Sequence, residues 1–227
     1  MTDVLALADD ALVAAQRLAW WCSRAHDLEE DIALANIALD QLGAARLLLT
    51  YAGELEGAGR DEDALAYLRG PDEFRNCLLV ELPDEDFAWA ITRLLFLSAH
   101  QWLRYGELAA GPDPRLAEIA ARAVKESAYH LDHARLWTKR LGDGTPESRR
   151  RMTAAVAGLW PFTLELVENR AAWLEIVDGA LADATLERPA DPADPPTGGR
   201  AGRHTPHLAA LLEEMQSLHR AHPGVTW

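Results

Sequence analysis

Lysine is almost missing from this 227-residue chain. Lys125 and Lys139 stand against twenty arginines, and all 22 bases face 36 acids, for a formal charge of −14. A protein that grips duplex nucleic acid or an anionic membrane needs a basic cluster to displace counterions, and a chain this acidic is repelled by both. Cysteine is scarce as well. Cys22 and Cys77 lie far apart without metal-ligand spacing, so they read as buried thiols in a reducing compartment and not as a disulfide framework. No Gly-x-x-x-x-Gly-Lys-Ser/Thr loop, Gly-x-Gly-x-x-Gly turn or Gly-x-Ser-x-Gly elbow occurs, which removes the usual phosphate cradles and the activated serine. With no basic-then-apolar leader and no uncharged run of about 18 apolar residues, the expectation is a cytoplasmic protein with no membrane partner.

What is present is helix. Hydrophobic residues make up 49% of the chain, enough for a sizeable core, and they recur with helical spacing while no segment alternates with period two. Leu5, Leu12, Ala15 and Ala19, with Leu18 and Trp20–Trp21 beside them, predict a first helix over 3–23. Glu29, Glu30 and Asp31 crowd the start of a second, which runs to Leu55 and is apolar nearly all round, as a helix buried in a bundle would be. Gly70–Pro71 splits residues 62–82 into two short helical pieces, although Leu78–Leu79–Val80 could equally be a strand. A third long helix runs from the Asp84–Glu85–Asp86 cap to Leu108 and a fourth from Arg115 to Leu141. Thr145–Pro146 opens a fifth that Pro161 interrupts, with amphipathic turns over 163–184. Residues 187–206 lack apolar anchors and are expected to be an extended or mobile loop, before a last helix from His207 to His219. Four long helices, short links after the first and third, and one long crossover at 56–83 predict an all-α, ferritin-like bundle. It forms a single domain over 1–227 with extra C-terminal helices.

Such a bundle can hold two irons if two helices each supply a Glu and the other two each supply Glu-x-x-His. The second helix has no His, the first has no Glu, and the third has acids only at its ends, Asp86 and Glu107. The fourth places Glu126, His130, His133 and Trp137 on one stripe, but Ser127 stands three before His130 and Tyr129 three after Glu126, so the register is wrong. The favoured expectation is therefore a hydrogen-bonded polar network of Glu126, His130 and His133 with Asn36 and Asp40 of the second helix, in the place of a metal centre. The alternative is a partial metal site on the fourth helix. The tail histidines His204, His207, His219 and His222 read as surface residues. Eight tryptophans are many, and Trp20, Trp21, Trp89 and Trp102 are candidate interface anchors.

The residues also carry a family resemblance. Leu28-Glu-Glu-Asp-Ile-Ala-Leu-Ala-Asn-Ile-Ala-Leu-Asp40, with Gln41-Leu-Gly-Ala-Ala-Arg46, resembles the second helix of the C subunits of bacterial phenylacetyl-CoA ring epoxidases. So do Lys125-Glu-Ser-Ala-Tyr-His130, Leu141-Gly-Asp-Gly-Thr145, Leu159-Trp-Pro161 and His222-Pro-Gly224 further along. The resemblance spans nearly the whole chain and is weakest at 185–206. It implies a ferritin-like, non-catalytic structural subunit with no cofactor of its own. Its implied partners are a di-iron catalytic subunit of similar fold, a small accessory subunit, and a reductase carrying flavin and an iron–sulfur centre and using NADPH. The complex would form the ring 1,2-epoxide of phenylacetyl-CoA. The competing readings are a stand-alone metal-dependent oxidoreductase using Glu126, His130 and His133, and a bundle that binds an acyl-CoA or a regulatory partner.

Charge is unevenly placed: residues 1–86 hold 19 acids and 6 bases, and the remainder is nearly neutral. Asp61, Glu62, Asp63, Asp84, Glu85 and Asp86 are expected to form a solvated acidic rim that keeps partner pairing in register.

Overall fold

The computed structural model describes residues 2–167 and 169–225, and among these every regular element is helical. The elements are α1 Thr2–Ala19, α2 Leu28–Glu56, α3 Glu62–Tyr67, α4 Leu78–Glu81, α5 Phe87–Ala109, α6 Pro114–Gly142, α7 Pro146–Leu159, α8 Thr163–Leu166, α9 Arg170–Asp183 and α10 Pro206–Ala221. Single 3-10 turns lie at Pro71–Glu73, Trp160–Phe162 and Gly199–Ala201. The chain divides into two compact units, Met1–Pro83 with Gly198–Trp227, and Asp84–Thr197.

Short polar side chains set the helix starts. Asp27, Asp61, Asp86 and Asp113 each accept from backbone amides of the first turn of α2, α3, α5 and α6, satisfying donors that have no partner within the helix. Thr145 forms a reciprocal box with Ser148 ahead of Pro146, so α7 begins where the Thr-Pro pair predicts. The first helix is shorter than expected. It stops at Ala19, and Trp20–Ser23 form turns with Ser23 in the left-handed region (φ 64°), while Arg24 donates to the Trp20 carbonyl at 2.8 Å. Cys22 consequently lies on an exposed turn, not inside a helix, and only Cys77 is a buried thiol. The strand alternative at Leu78–Val80 is also settled: these residues form the helical turn α4, all buried.

In the first unit α1 packs along α2, α3 rests against α2 and α10, and α4 against α1 and α10. Val4, Ala8, Ala11 and Ala15 of α1 and Leu34, Ala45, Leu48 and Leu49 of α2 are buried. The second helix is not buried all round, however. Leu28, Ile32 and Leu39 are 68%, 52% and 64% exposed, because α1 and α3 cannot cover every side of so apolar a helix. By length and composition α2 alone among the described residues could cross a membrane, but it carries Asp40 and Arg46 and its inner side is packed on protein.

In the second unit α5 pairs with α6, α7 lies on both, and α9 closes on the same pair. Phe96, Trp160 and Trp173 meet with ring centroids 5.5 to 5.7 Å apart at their centre. The Trp173 indole donates to the Phe96 carbonyl at 3.0 Å, and the Trp160 indole donates to Asp191 at 2.8 Å. Arg170 bridges Asp191 (2.7 Å) and lies over both indoles. Burial pushes the Asp191 carboxyl up, but the Trp160 and Arg170 donors outweigh it and hold the group below its ordinary value. Of residues 187–206, 187–197 carry no regular element and are tied down by Asp191 in mid-course, and the 3-10 turn Gly199–Ala201 follows.

Gly158 is fixed by packing and not by backbone conformation. A Cβ there would lie 2.5 Å from Cη2 of Trp89, so the indole sits directly on the glycine. Gly158→Ala is expected to cost about 1–3 kcal/mol through overpacking. A thermal shift assay checks this, and Trp89→Leu in the same chain should relieve most of the loss.

Candidate functional site

On α6, Ser127, His130, Ala134 and Trp137 form the buried face. His133 is half-buried one turn on. Glu126 is also half-buried, and its carboxylate is taken by Arg122 one turn earlier, Nε to Oε1 at 2.9 Å. That ion pair is the i, i+4 surface kind and is not a ligand geometry. On α2, Asn36 is exposed and Asp40 half-buried. Among the described residues no three His, Cys, Asp or Glu side chains converge as metal ligands would.

A dense polar cluster lies on residues that no motif or spacing singles out. Asp9 and Asp10 sit side by side in mid-α1, both buried. Asp9 receives both terminal nitrogens of buried Arg69, with Nη1 at 3.0 Å, and the Arg75 amide at 2.8 Å. Arg69 also donates to the Leu65 and Glu73 carbonyls and lies 4.1 Å over the Phe74 ring. Burial pushes the Asp9 carboxyl up, and the guanidinium and amide donors oppose it. Asp10 accepts the Cys77 amide at 2.7 Å and Arg200 at 2.6 Å. Arg200 in turn donates to the Arg75 carbonyl.

Glu81 extends the cluster. Its carboxylate accepts from Asn76 at 3.0 Å and from the Thr205 amide at 2.6 Å, and it faces His204 at 2.8 Å. The side chain of His204 is 3% exposed, so this histidine is not the surface residue the tail composition suggested. His207 and His222 are exposed, and His219 stacks on Tyr67 at 4.7 Å. The cluster thus ties α1 to the crossover and to the segment entering α10. Its chemistry is all cross-linking, because each carboxylate in it meets donors from the chain itself.

The acidic rim also changes character. Asp84 pairs with Arg93, both side chains 4% exposed, Asp61 and Asp86 cap α3 and α5, and Glu62 reaches Thr50 and Arg46. Of the six, Asp61, Asp63 and Glu85 lie exposed in the manner a solvated rim requires, Asp61 while it caps α3.

Of the candidate aromatic anchors, Trp20 and Trp102 are exposed. Trp21 turns into the core edge-on to Trp20, and Trp89 is half-buried on Gly158. Trp21 is therefore a packing residue and not a surface anchor. Trp20 shares the surface of the first unit with the α2 stripe of Leu28, Ile32, Leu39 and Leu42, spaced so that they recur along one side of the helix. Leu42 leads into a groove of about 520 Å³ between α1, α2, α3 and α10, where Arg46, Glu62 and His219 add polar groups to apolar walls.

An all-helical chain with its polar clusters spent on internal cross-links and an apolar helix face left open has the makings of an assembly component. The chain belongs to the family of phenylacetic acid catabolic proteins, which it matches over residues 1–172 and 168–227. It is 44% identical over 242 residues to the C subunit of the 1,2-phenylacetyl-CoA epoxidase of Escherichia coli (strain K12), covering 98% of this chain and 97% of that protein. The resemblance to the C subunits seen in the sequence is thereby borne out along the whole length.

Proposed function

We propose that this chain is the non-catalytic structural subunit of a cytoplasmic phenylacetyl-CoA ring 1,2-epoxidase in aerobic phenylacetate catabolism. In this reading the two units make one ferritin-like domain, a bundle of four long helices (α1, α2, α5 and α6) with the crossover between the second and third. The observation that carries the reading is the 44% identity, over nearly the full length, to a protein that bears the name of that enzyme's C subunit. Two local features support it. On α6, the acid of the Glu126, His130 and His133 stripe is engaged by Arg122 in an i, i+4 ion pair, the role of a structural polar residue. The open α2 stripe gives such a sister an apolar face to cover.

The proposed partners are the di-iron catalytic subunit, a small accessory subunit, and the flavin and iron–sulfur reductase that draws on NADPH. This chain binds none of those cofactors and supplies rigidity and surface, with Trp20 and Trp102 as aromatic anchors. Co-expression with the catalytic sister tests the assignment. The two chains are expected to co-purify, and oxygenase activity toward phenylacetyl-CoA should fall sharply when this chain is left out. Stoichiometric iron or manganese in the chain purified alone would overturn the non-catalytic role in favour of a metal site on α6.

A further inference from the structure

His204 is buried between two acceptors. Nδ1 lies 2.8 Å from Oε2 of Glu81, and Nε2 lies 3.1 Å from the Phe74 carbonyl oxygen. A carbonyl cannot donate, so Nε2 carries the hydrogen in that bond. A neutral imidazole has only one N–H, and its Nδ1 would then turn a lone pair on a carboxylate oxygen at hydrogen-bond distance. The contact closes only if one more proton lies between Nδ1 and Oε2. The other partners of Glu81 decide which side holds it: Asn76 donates to Oε2 at 3.0 Å and the Thr205 amide to Oε1 at 2.6 Å, the pattern of an ionised carboxylate.

We propose that His204 is a buried imidazolium, protonated on both nitrogens in the folded chain at neutral pH, and that it latches the segment entering α10 onto α4. The charged groups around the pair come from three directions. Arg17 of α1 donates to the Glu81 and His207 carbonyls, and Asp10 of α1 holds Arg200. In the crossover, Arg75 donates to the Asp72 and Phe74 carbonyls while Arg69 is committed to Asp9. His207 follows on α10 itself, where the Thr205 hydroxyl accepts its amide at 3.3 Å as the cap. Loss of the imidazolium proton would break the Glu81 contact and loosen the neighbouring Thr205 amide with it, so the start of α10 is released.

The sign of the pH effect follows. An unfolded histidine gives up its proton near about pH 6.5, and a folded chain that keeps it gains stability that is complete below that pH. The gain is lost as pH rises, the folding equilibrium constant falling about tenfold per pH unit until the folded-state proton also leaves. Ring-nitrogen NMR of the full-length chain at pH 7.5 tests the proposal directly. His204 is expected to show two N–H-type nitrogens, a pair of signals absent from the spectrum of His204→Gln. The denaturation midpoint of the parent should fall between pH 7 and pH 9, and that of the variant should not. A bare ring nitrogen on His204 at pH 7.5 overturns the proposal. Through-bond correlation of the ring to its own Cβ and backbone amide assigns His204 in the parent spectrum, so the answer stands even if the variant does not fold.

Discussion

Arg69→Ala is expected to destabilise the chain by about 3–5 kcal/mol, a large share of the roughly 5–15 kcal/mol that holds a typical domain together. The side chain is fully buried, and truncating it strips Asp9 of its charge partner while leaving that carboxylate equally buried with only the Arg75 amide. The Leu65 and Glu73 carbonyls lose donors, and the Phe74 ring loses the guanidinium over its face. Replacing both partners, Asp9→Leu with Arg69→Met, should recover a good part of the loss, because an apolar pair of similar volume leaves no charge stranded. The recovery stays incomplete, since the amide and carbonyls that the pair served remain. Urea unfolding of the three chains makes the comparison. If Arg69→Ala stayed within about 1 kcal/mol of the parent, the pair would have no structural weight and the network around α1 would need another explanation.

That network also marks where the sequence stops being legible. The long helices can be read because their signals are local: Asp27 ahead of Glu29–Asp31, Thr145–Pro146, and apolar positions three and four apart. The absence of Glu-x-x-His can be read too, since a ligand pattern is a spacing within one helix. Asp9 and Asp10 offer a signal, two adjacent acids inside the otherwise apolar stretch from Val4 to Ala15, but their partners are Arg69, Arg75, Cys77 and Arg200. Nothing in a single sequence assigns a carboxylate to a guanidinium so far along the chain. His204 is hidden for the opposite reason. It stands in a Pro- and Gly-rich stretch with no apolar anchor, where polar contacts to Glu81 and Phe74 do the fixing that hydrophobic burial does elsewhere. Cys22 is misplaced by a helix end: Trp20 and Trp21 continue the apolar pattern past Ala19, and the backbone nevertheless turns.

The same distinction between local pattern and partner bears on the α2 surface. An all-round apolar helix reads as buried, yet Ile32 and Leu39 lie open in the chain by itself. An aspartate at either position is therefore expected to leave folding almost untouched, within about 0.5 kcal/mol, as exposed substitutions generally do. Its effect on assembly should be large. A carboxylate placed in an apolar contact must be desolvated without a partner, and the double variant Ile32→Asp with Leu39→Asp is expected to weaken pairing with the proposed catalytic sister by roughly a hundredfold or more. Equilibrium binding of the purified chains, with circular dichroism to confirm helix content, separates the two effects. Undiminished pairing would remove α2 from the interface and shift the test to Trp20 and Trp102, the exposed aromatics. Loss of pairing with intact helix content would place the sister on α2 and explain why the chain keeps so apolar a face.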